Sequence, residues 1–385
     1  MAFLGNDVVN RVNLHTGIQA IAQSGAGIFL LVFLIHSGFS VPEALLTQSA
    51  ILALRLVLRP IALPLAIRFG VKRLLIAGAL TLAVQYPLLA QVQDIGPMLL
   101  LFCFVSAFGD ILYWPTYHSY FAIVGDAEHR GHQVSAREAL VAAVGIAAPL
   151  LGAWALVSFG ANVMFAAFGT VQALAVLPLL GAPDAKVQRN APGVFESARF
   201  VALICLNTGW YDGWCALVWP IALFTAVGSS FSNYGGAMAL AALAGAAFGM
   251  LLGKHVDNGQ GRRTTLIASS VGALLTLLRA LSGGVVSVVV VANTLAASAQ
   301  PLHAAAMGPP CYNIAQRSVC PMRFHLITEA AWDIGIGTAC VLAAGLIALG
   351  VPMTLTLLLA LPAIAAEARL LWRYYGETQS QAPAN

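Results

Sequence analysis

The chain has 385 residues, of which 59% are hydrophobic and only 9% are charged. Soluble domains carry roughly 25% charged residues, so this composition excludes a soluble enzyme and predicts an integral membrane protein. The net charge of +4 is small, and we assign it to loops at one membrane surface rather than to a nucleic-acid-binding face.

About twelve apolar stretches follow one another along the chain. Each is long enough to cross a hydrocarbon core of ~30 Å as a helix, in some cases tilted. They cover residues 16–39, 43–68, 73–91, 97–124, 135–159, 162–181, 198–226, 234–255, 264–281, 285–315, 325–349 and 351–373. The sequence therefore predicts an all-α integral membrane protein with about twelve transmembrane helices and no separate soluble domain.

The basic residues are distributed unevenly over the gaps between these spans. Sixteen of the 19 Lys and Arg residues fall in alternate gaps or at the two ends of the chain. Because basic residues concentrate in cytoplasmic loops, this pattern predicts an even number of spans with both termini in the cytoplasm. Three arginines lie inside spans: Arg55 and Arg59 in the second, and Arg279 near the outer end of the ninth. We expect Arg279 to reach the surface along its own aliphatic stem, whereas the other two need a carboxylate, a water-filled cavity or a substrate.

A polar segment at residues 182–197 divides the chain near its middle, and its prolines and mixed charge indicate a linker. Equivalent residues recur on its two sides at an offset of about 190 positions: 14–17 with 206–209, Arg73 with Arg263, and Glu138 with Glu329. The repetition predicts two parallel, pseudo-symmetric six-helix bundles, at residues 1–181 and 198–385.

The loops resemble those of the major facilitator superfamily, whose second and third spans are joined by the pattern G-x-x-x-D-R-x-G-R-R. The first copy here reads LPLAIRFGVKR, with Ile67 in place of the acid, and the second reads GKHVDNGQGRR. Two further likenesses are the spacing from Pro115 to Arg130 and the glycine/proline pattern around Pro149 in span five, which is typical of antiporter branches. The resemblance covers the whole chain and implies the superfamily's fold, with transport by alternating access.

The same loops are candidates for a cytoplasmic gate. Basic residues at a tight glycine turn can pair with carboxylates and with helix C-termini of neighbouring helices. Glu329 and Asp333 lie one turn apart on span eleven, and we expect them to pair with a basic residue of the first loop. A switching gate and a permanent structural contact are both open. The candidate gating residues are Arg68, Lys72, Arg73, Asp257, Arg262, Arg263, Glu329 and Asp333.

Span four carries a stripe of polar and aromatic side chains at helical spacing. Its members are Asp110, Trp114, Tyr117, His118 and Phe121, and Tyr113 flanks it. Aromatic faces bind cations and flat rings, and Asp110 could carry a proton. The alternative is a packed helix in which a neighbouring residue satisfies Asp110. Asp110 is also the first candidate partner for Arg55 and Arg59.

The resemblance implies that spans one, four, seven and ten line a central cavity, and all four carry polar or aromatic stripes. The further candidate substrate-binding residues include the two arginines of span two. They are Gln19, Gln23, Arg55, Arg59, Asn207, Trp210, Tyr211, Trp214, Gln300, His303 and Tyr312. Asp212 is a second candidate for proton coupling. Glu138 is a third, although pairing with loop arginines is its structural alternative.

These observations predict a secondary active transporter of a small organic solute. The preferred hypothesis is proton-coupled antiport that exports the solute. Arg55 and Arg59 favour an alternative, an importer, uniporter or exchanger of organic anions or metabolites, because arginine recognises carboxylate and phosphate groups. A more remote hypothesis is a non-transporting membrane sensor or scaffold.

The expected partners are a small-molecule substrate, a proton or counter-ion, and membrane lipids, and we expect a monomer in a bacterial inner membrane. No nucleophile motif, phosphate-binding loop or zinc motif occurs. We therefore expect no enzymatic activity, no cofactor, no metal and no nucleic-acid partner.

Overall fold

The computed structural model describes residues 5–125, 130–252 and 261–380. Every regular element within these ranges is a helix, as the composition predicts. The helices are α1 Asp7–Gly25, α2 Leu30–His36, α3 Val41–Leu58, α4 Ala62–Phe69, α5 Val71–Leu89, α6 Pro97–Val124, α7 Arg130–Leu174, α8 Leu177–Leu180, α9 Val194–Asp212, α10 Trp219–Ala226, α11 Phe231–Leu252, α12 Gly261–Ala280, α13 Val286–Arg317, α14 Pro321–Ala348, α15 Met353–Thr356 and α16 Leu361–Ser380.

Eight helical runs within the described ranges are long and apolar enough to cross a membrane. One of them, Arg137–Leu180, contains a sharp bend, because Gly160 has φ 80° and ψ 171° there. The bend falls between the predicted spans 135–159 and 162–181. The total of twelve spans and the cytoplasmic position of both termini stay predictions.

Several of the predicted spans consist of helical pieces that follow one another without a loop. A 3-10 turn at Arg59–Ile61 joins α3 to α4, and a π-helical segment at Gly213–Val218 joins α9 to α10. The first break coincides with Pro60, which has no N–H to donate and whose ring obstructs the preceding helical turn. Arg59 therefore sits at an interruption of its helix.

The linker is shorter than the sequence indicates. Because α9 begins at Val194, the last four residues of the predicted 182–197 segment are helical. Gly193 precedes the helix with φ 78°, a left-handed conformation that glycine adopts readily.

Two apolar clusters join helices that precede the linker to helices that follow it. In the first cluster, the ring of Phe29 lies 6.0 Å from that of Phe231 and 5.6 Å from that of Tyr234. The second cluster includes Ala62 of α4 and Phe324 of α14. Such contacts stabilise the arrangement by close van der Waals packing, because lipid tails are as apolar as these side chains.

A polar layer lies between these clusters along both α3 and α14. On α3, Leu52 belongs to the first cluster and Ala62, just beyond the helix, to the second. On α14, Phe324 belongs to the second cluster and Ile336 to the first. Arg55 and Arg59 fall within the first interval, and His325, Glu329 and Asp333 fall within the second.

Helices α9 and α14 cross at two glycines, Gly209 and Gly335. A Cβ atom on Gly335 would lie 2.7 Å from the backbone nitrogen of Trp210, and one on Gly209 would overlap the backbone at Trp332. Small residues permit this close approach of two helices. The crossing brings Trp332 beside Asp212.

Candidate functional site

Two arginines and three carboxylates meet between α3, α6 and α14. Arg55 Nη1 lies 3.3 Å from Asp110 Oδ2, and Arg55 Nη2 lies 2.9 Å from Asp333 Oδ1 and 3.5 Å from Glu329 Oε2. Arg59 Nη2 pairs with Asp333 Oδ2. We call these five residues the ion-pair network. It contains one more carboxylate than guanidinium group.

The network follows from helical spacing. Arg55 and Arg59 are four positions apart, as are Glu329 and Asp333, so each helix presents two charged groups on one face. Arg55, Arg59 and Asp333 are buried, at 5%, 6% and 1% exposure. Charges this deeply buried need partners of opposite sign.

The expected contact between Asp110 and a span-two arginine is present, and the arginine is Arg55. Arg59 instead pairs with Asp333. The expectation that Glu329 and Asp333 pair with the first basic loop is wrong, because Arg55 pairs with both of them and Arg59 pairs with Asp333.

Aromatic side chains surround the network. The indole N–H of Trp114 donates to Asp110 Oδ1 at 3.0 Å. The guanidinium carbon of Arg55 lies 5.7 Å from the ring centroid of Trp332, within the range of a cation–π interaction. The indole N–H of Trp332 donates to Asp212 Oδ2 at 2.9 Å. Trp332 thus connects the network to a carboxylate on α9.

Two histidines adjoin the network. His118 Nε2 lies 3.6 Å from Glu329 Oε1. The ring of His118 is 5.3 Å from that of His325, which belongs to α14. The network is therefore bordered on both α6 and α14 by imidazole rings.

Some donors of the arginines have no hydrogen-bond partner among the described residues. These are Nε of Arg55, and Nε and Nη1 of Arg59. Leaving a buried donor unsatisfied costs about 1–3 kcal/mol. Such donors can accept a carboxylate, phosphate or carbonyl oxygen of a ligand.

The stripe of span four divides between two faces. Asp110, Trp114 and His118 are four residues apart and face the network. Tyr113 and Tyr117 are buried against α1, where the hydroxyl of Tyr113 lies 2.9 Å from His15 Nε2. Tyr113 and Tyr117 follow Asp110 by three and seven residues, whereas Trp114 and His118 follow it by four and eight. On a helix these two pairs point to different sides. The structure does not bring the two tyrosines to the network.

The stripe of span seven also separates. Asn207 donates to the Leu203 carbonyl oxygen of its own helix at 2.8 Å, and Trp210 donates to that of Leu359 at 2.7 Å. Trp214 is fully buried in the first apolar cluster. It lies in the π-helical segment, so the ordinary spacing of 3.6 residues per turn does not place it.

The candidate residues of spans one and ten lie apart from the ion-pair network. Gln19 is buried and Gln23 is partly buried. Within the described ranges, neither side chain makes a hydrogen bond with a residue of the network. Gln300 and His303 line a separate small cavity. Tyr312 lies in α13, but its side chain falls outside the described part of the chain.

The basic residues of the first loop contact the linker. Arg73 Nε lies 3.8 Å from Asp184 Oδ2, and Lys72 Nζ donates to the Ala182 carbonyl oxygen at 2.6 Å. The guanidinium of Arg68 lies 5.2 Å from the ring centroid of its neighbour Phe69. The loop is thus attached to residues that follow α8 rather than to α14.

The second loop falls partly outside the described residues, and Asp257 is among those left out. Arg262 Nε donates to the Trp372 carbonyl oxygen at 3.3 Å and its guanidinium lies 4.8 Å from the Trp372 ring centroid. Arg263 is exposed. Glu138, on α7, pairs with Arg137 at 2.5 Å, and its side chain is 60% exposed, which agrees with the structural alternative for this residue.

Sequence reasoning missed several residues of this region: His15, His325, Trp332 and Glu367. A signal for His325 was present, because it precedes Glu329 by four positions and Asp333 by eight. Glu367 is the one acidic residue of the last predicted span, and an acid in that setting usually faces a partner or a cavity. Arg279 was expected at the surface but is buried, with its guanidinium 4.9 Å from the ring centroid of Trp219.

Comparisons with known proteins agree with this architecture. A model of the Major Facilitator Superfamily matches residues 14–323, and the chain belongs to that superfamily. A solved structure described as the in meso crystal structure of the POT family transporter PepTSo is similar over 98% of this chain and 99% of its own, with a TM-score of 0.69 and 12% identity. At that identity the likeness shows the fold alone. No curated protein matches the sequence significantly. The chain is therefore a multi-pass membrane transporter rather than an enzyme.

Proposed function

We propose that the chain is a proton-coupled antiporter that exports a small organic solute by alternating access. The observation that carries the proposal is the ion-pair network, in which two guanidinium groups face three carboxylates. A buried charge without a counter-charge is costly. The third carboxylate therefore favours a bound proton or a cationic substrate.

Competition between these two occupants would produce antiport. With a proton bound, the network is neutral and its helices can pack together. A cationic or amphipathic solute that enters beside Asp110, Trp114 and His118 replaces the proton, since both neutralise the same surplus charge. Exchange of one proton for one singly charged cation moves no net charge, so the pH gradient would drive that export. For an uncharged amphipathic solute, the membrane potential would add about 2.3 kcal/mol per 100 mV.

The conformational change would be a rocking of two six-helix bundles on either side of the linker. The network joins α3 and α6 of the first bundle to α14 of the second, so its occupant influences how the bundles meet. We place the protein in the cell membrane, as a monomer in a bacterial inner membrane.

The test begins with a thermal-shift screen of the purified protein against metabolites and drugs of differing charge. Hits are then assayed for counterflow and proton-driven transport in proteoliposomes. Asp110→Asn should abolish proton-driven transport while the protein remains folded. Asp94→Asn, at an exposed position before α6, is the matched control and should behave as wild type. If Asp110→Asn transports at the wild-type rate with the same pH dependence, the assignment is wrong.

A second candidate is an importer, uniporter or exchanger of organic anions. The unpartnered donors of Arg55 and Arg59 favour it, since an anionic ligand would satisfy them. Competition experiments distinguish the two candidates. Binding of a cation should depend on Asp110, and binding of an anion should be lost in Arg55→Gln.

A further inference from the structure

We infer that Glu367 and His303 form an internal proton-binding site among α9, α12, α13 and α16, distinct from the ion-pair network. Glu367 is buried, with 6% exposure, although it lies in an apolar stretch of α16. Its Oε1 lies 3.6 Å from His303 Nδ1, and its Oε2 accepts a hydrogen bond from the Thr208 hydroxyl at 3.2 Å. One oxygen thus faces a proton acceptor and the other is fixed by a donor.

A cavity of about 40 Å³ adjoins this pair. Its polar lining includes Tyr211, Ser269, Thr276, Arg279, Gln300 and His303, with Glu367 at the same surface. One water occupies about 30 Å³ of liquid, and a polar cavity of this size can hold it. A water in this position could exchange a proton with the carboxylate of Glu367.

Charged and titratable groups surround Glu367 on three of the packed helices. Those that face it from the packed helices are Cys205, Tyr211 and Asp212 of α9, Arg279 of α12, and His303 and Cys311 of α13. Arg279 makes no ion pair with a carboxylate within the described ranges. Binding of one proton takes the Glu367–His303 pair from a net charge of −1 to zero, and no other group has to change.

The pair is connected to the ion-pair network through three residues, Tyr211, Asp212 and Trp332. The ring of Tyr211 is stacked on that of His303, with centroids 6.2 Å apart. The next residue, Asp212, accepts from the indole of Trp332, whose ring lies beside Arg55. A change of charge at Glu367 therefore acts on a helix that contacts the network. Its role in coupling rests on the proposed function, whereas the protonation itself does not.

Infrared difference spectroscopy on the purified, substrate-free protein tests the site directly. Titration from alkaline to acidic pH should reveal the C=O stretching band of a protonated buried carboxyl group. Glu367→Gln should remove this band, and Glu377→Gln, at an exposed position of the same helix, should retain it. Glu367→Asp should move the band, and His303→Gln should shift its titration midpoint.

The inference is overturned if the spectra of wild type and Glu367→Gln are the same, or if His303→Gln leaves the midpoint unchanged. If Glu367→Gln does not fold, the Glu367→Asp and His303→Gln spectra decide. Asp110→Asn should keep the band, so a failure of the antiport proposal would be seen in transport and not in these spectra. A proton-coupled role adds one expectation: Glu367→Gln should retain counterflow and lose proton-driven accumulation.

Discussion

Nη2 of Arg55 lies 2.9 Å from Oδ1 of Asp333, and this contact joins the second predicted span to the eleventh. Both residues are buried, and Asp333 also receives Arg59. The negative charge of the Asp333 carboxylate is therefore shared between two guanidinium groups. Substitutions at this point should have large effects on stability.

Arg59→Met should lower the free energy of unfolding by about 3–5 kcal/mol, because it leaves a buried charge with one partner fewer. The double variant Arg59→Met/Asp333→Leu should recover most of that loss, since both charges are removed together. Unfolding of the protein in detergent micelles measures both. Arg73→Met is the control, because Arg73 is 73% exposed and its ion pair with Asp184 is worth about 1 kcal/mol or less. Equal losses in Arg59→Met and Arg73→Met would contradict the expectation.

Trp332→Phe should destabilise the protein by about 1.5–3 kcal/mol, the usual value of a hydrogen bond to a charged group. The substitution keeps an aromatic ring beside Arg55 and removes the donor to Asp212. Trp154→Phe, at a site 58% exposed, serves as the control. Thermal unfolding compares the two, and a loss no greater than that of the control would count against the Trp332–Asp212 bond.

Gly335→Ala should destabilise the protein by about 1–3 kcal/mol, because the added methyl group forces the backbones of α9 and α14 apart. Gly345→Ala on the same helix meets no atom within 4 Å. It should raise stability slightly, by about 0.5–1 kcal/mol, since alanine favours the helix over glycine. Melting temperatures of the two variants in one detergent give the comparison. Similar shifts in both would argue against a close crossing at Gly335.

Glu138→Gln should leave the rate and the pH dependence of proteoliposome transport unchanged. The carboxylate of Glu138 is 60% exposed and pairs with Arg137, away from the ion-pair network. Transport assayed beside Asp110→Asn provides the measurement. A loss of pH dependence in Glu138→Gln would assign the coupling proton to this residue instead.

Much of the fold follows from the sequence because membrane insertion imposes a simple composition on each span. The lengths of the apolar stretches anticipate the helices closely: residues 97–124 were predicted and α6 covers Pro97–Val124. The start of α9 was placed four residues late, since 194–197 contain polar and charged residues that a hydropathy pattern excludes. Helix formation does not require an apolar sequence.

The candidate site could be predicted only in part. Arg55 and Asp110 stood out because ionisable residues inside a span need partners. Which carboxylate reaches which arginine depends on helix rotation and depth, so the partner of Arg59 was not found. The interior position of Trp214 depends on a π-helical segment, which no residue pattern in the sequence predicted.

Helix α14 contacts its neighbours in two different ways. Against α9 it lies backbone to backbone at Gly209 and Gly335. Against α3 and α6 it is held at the network by flexible charged side chains at 2.9–3.5 Å and by Arg59. A displacement of α14 from α9 must unpack two main chains, whereas the charged contacts on its other side can lengthen or exchange partners as long side chains rotate. We therefore expect α14 to move with α9, and we expect the helices to separate at the surface that carries Arg55 and Arg59.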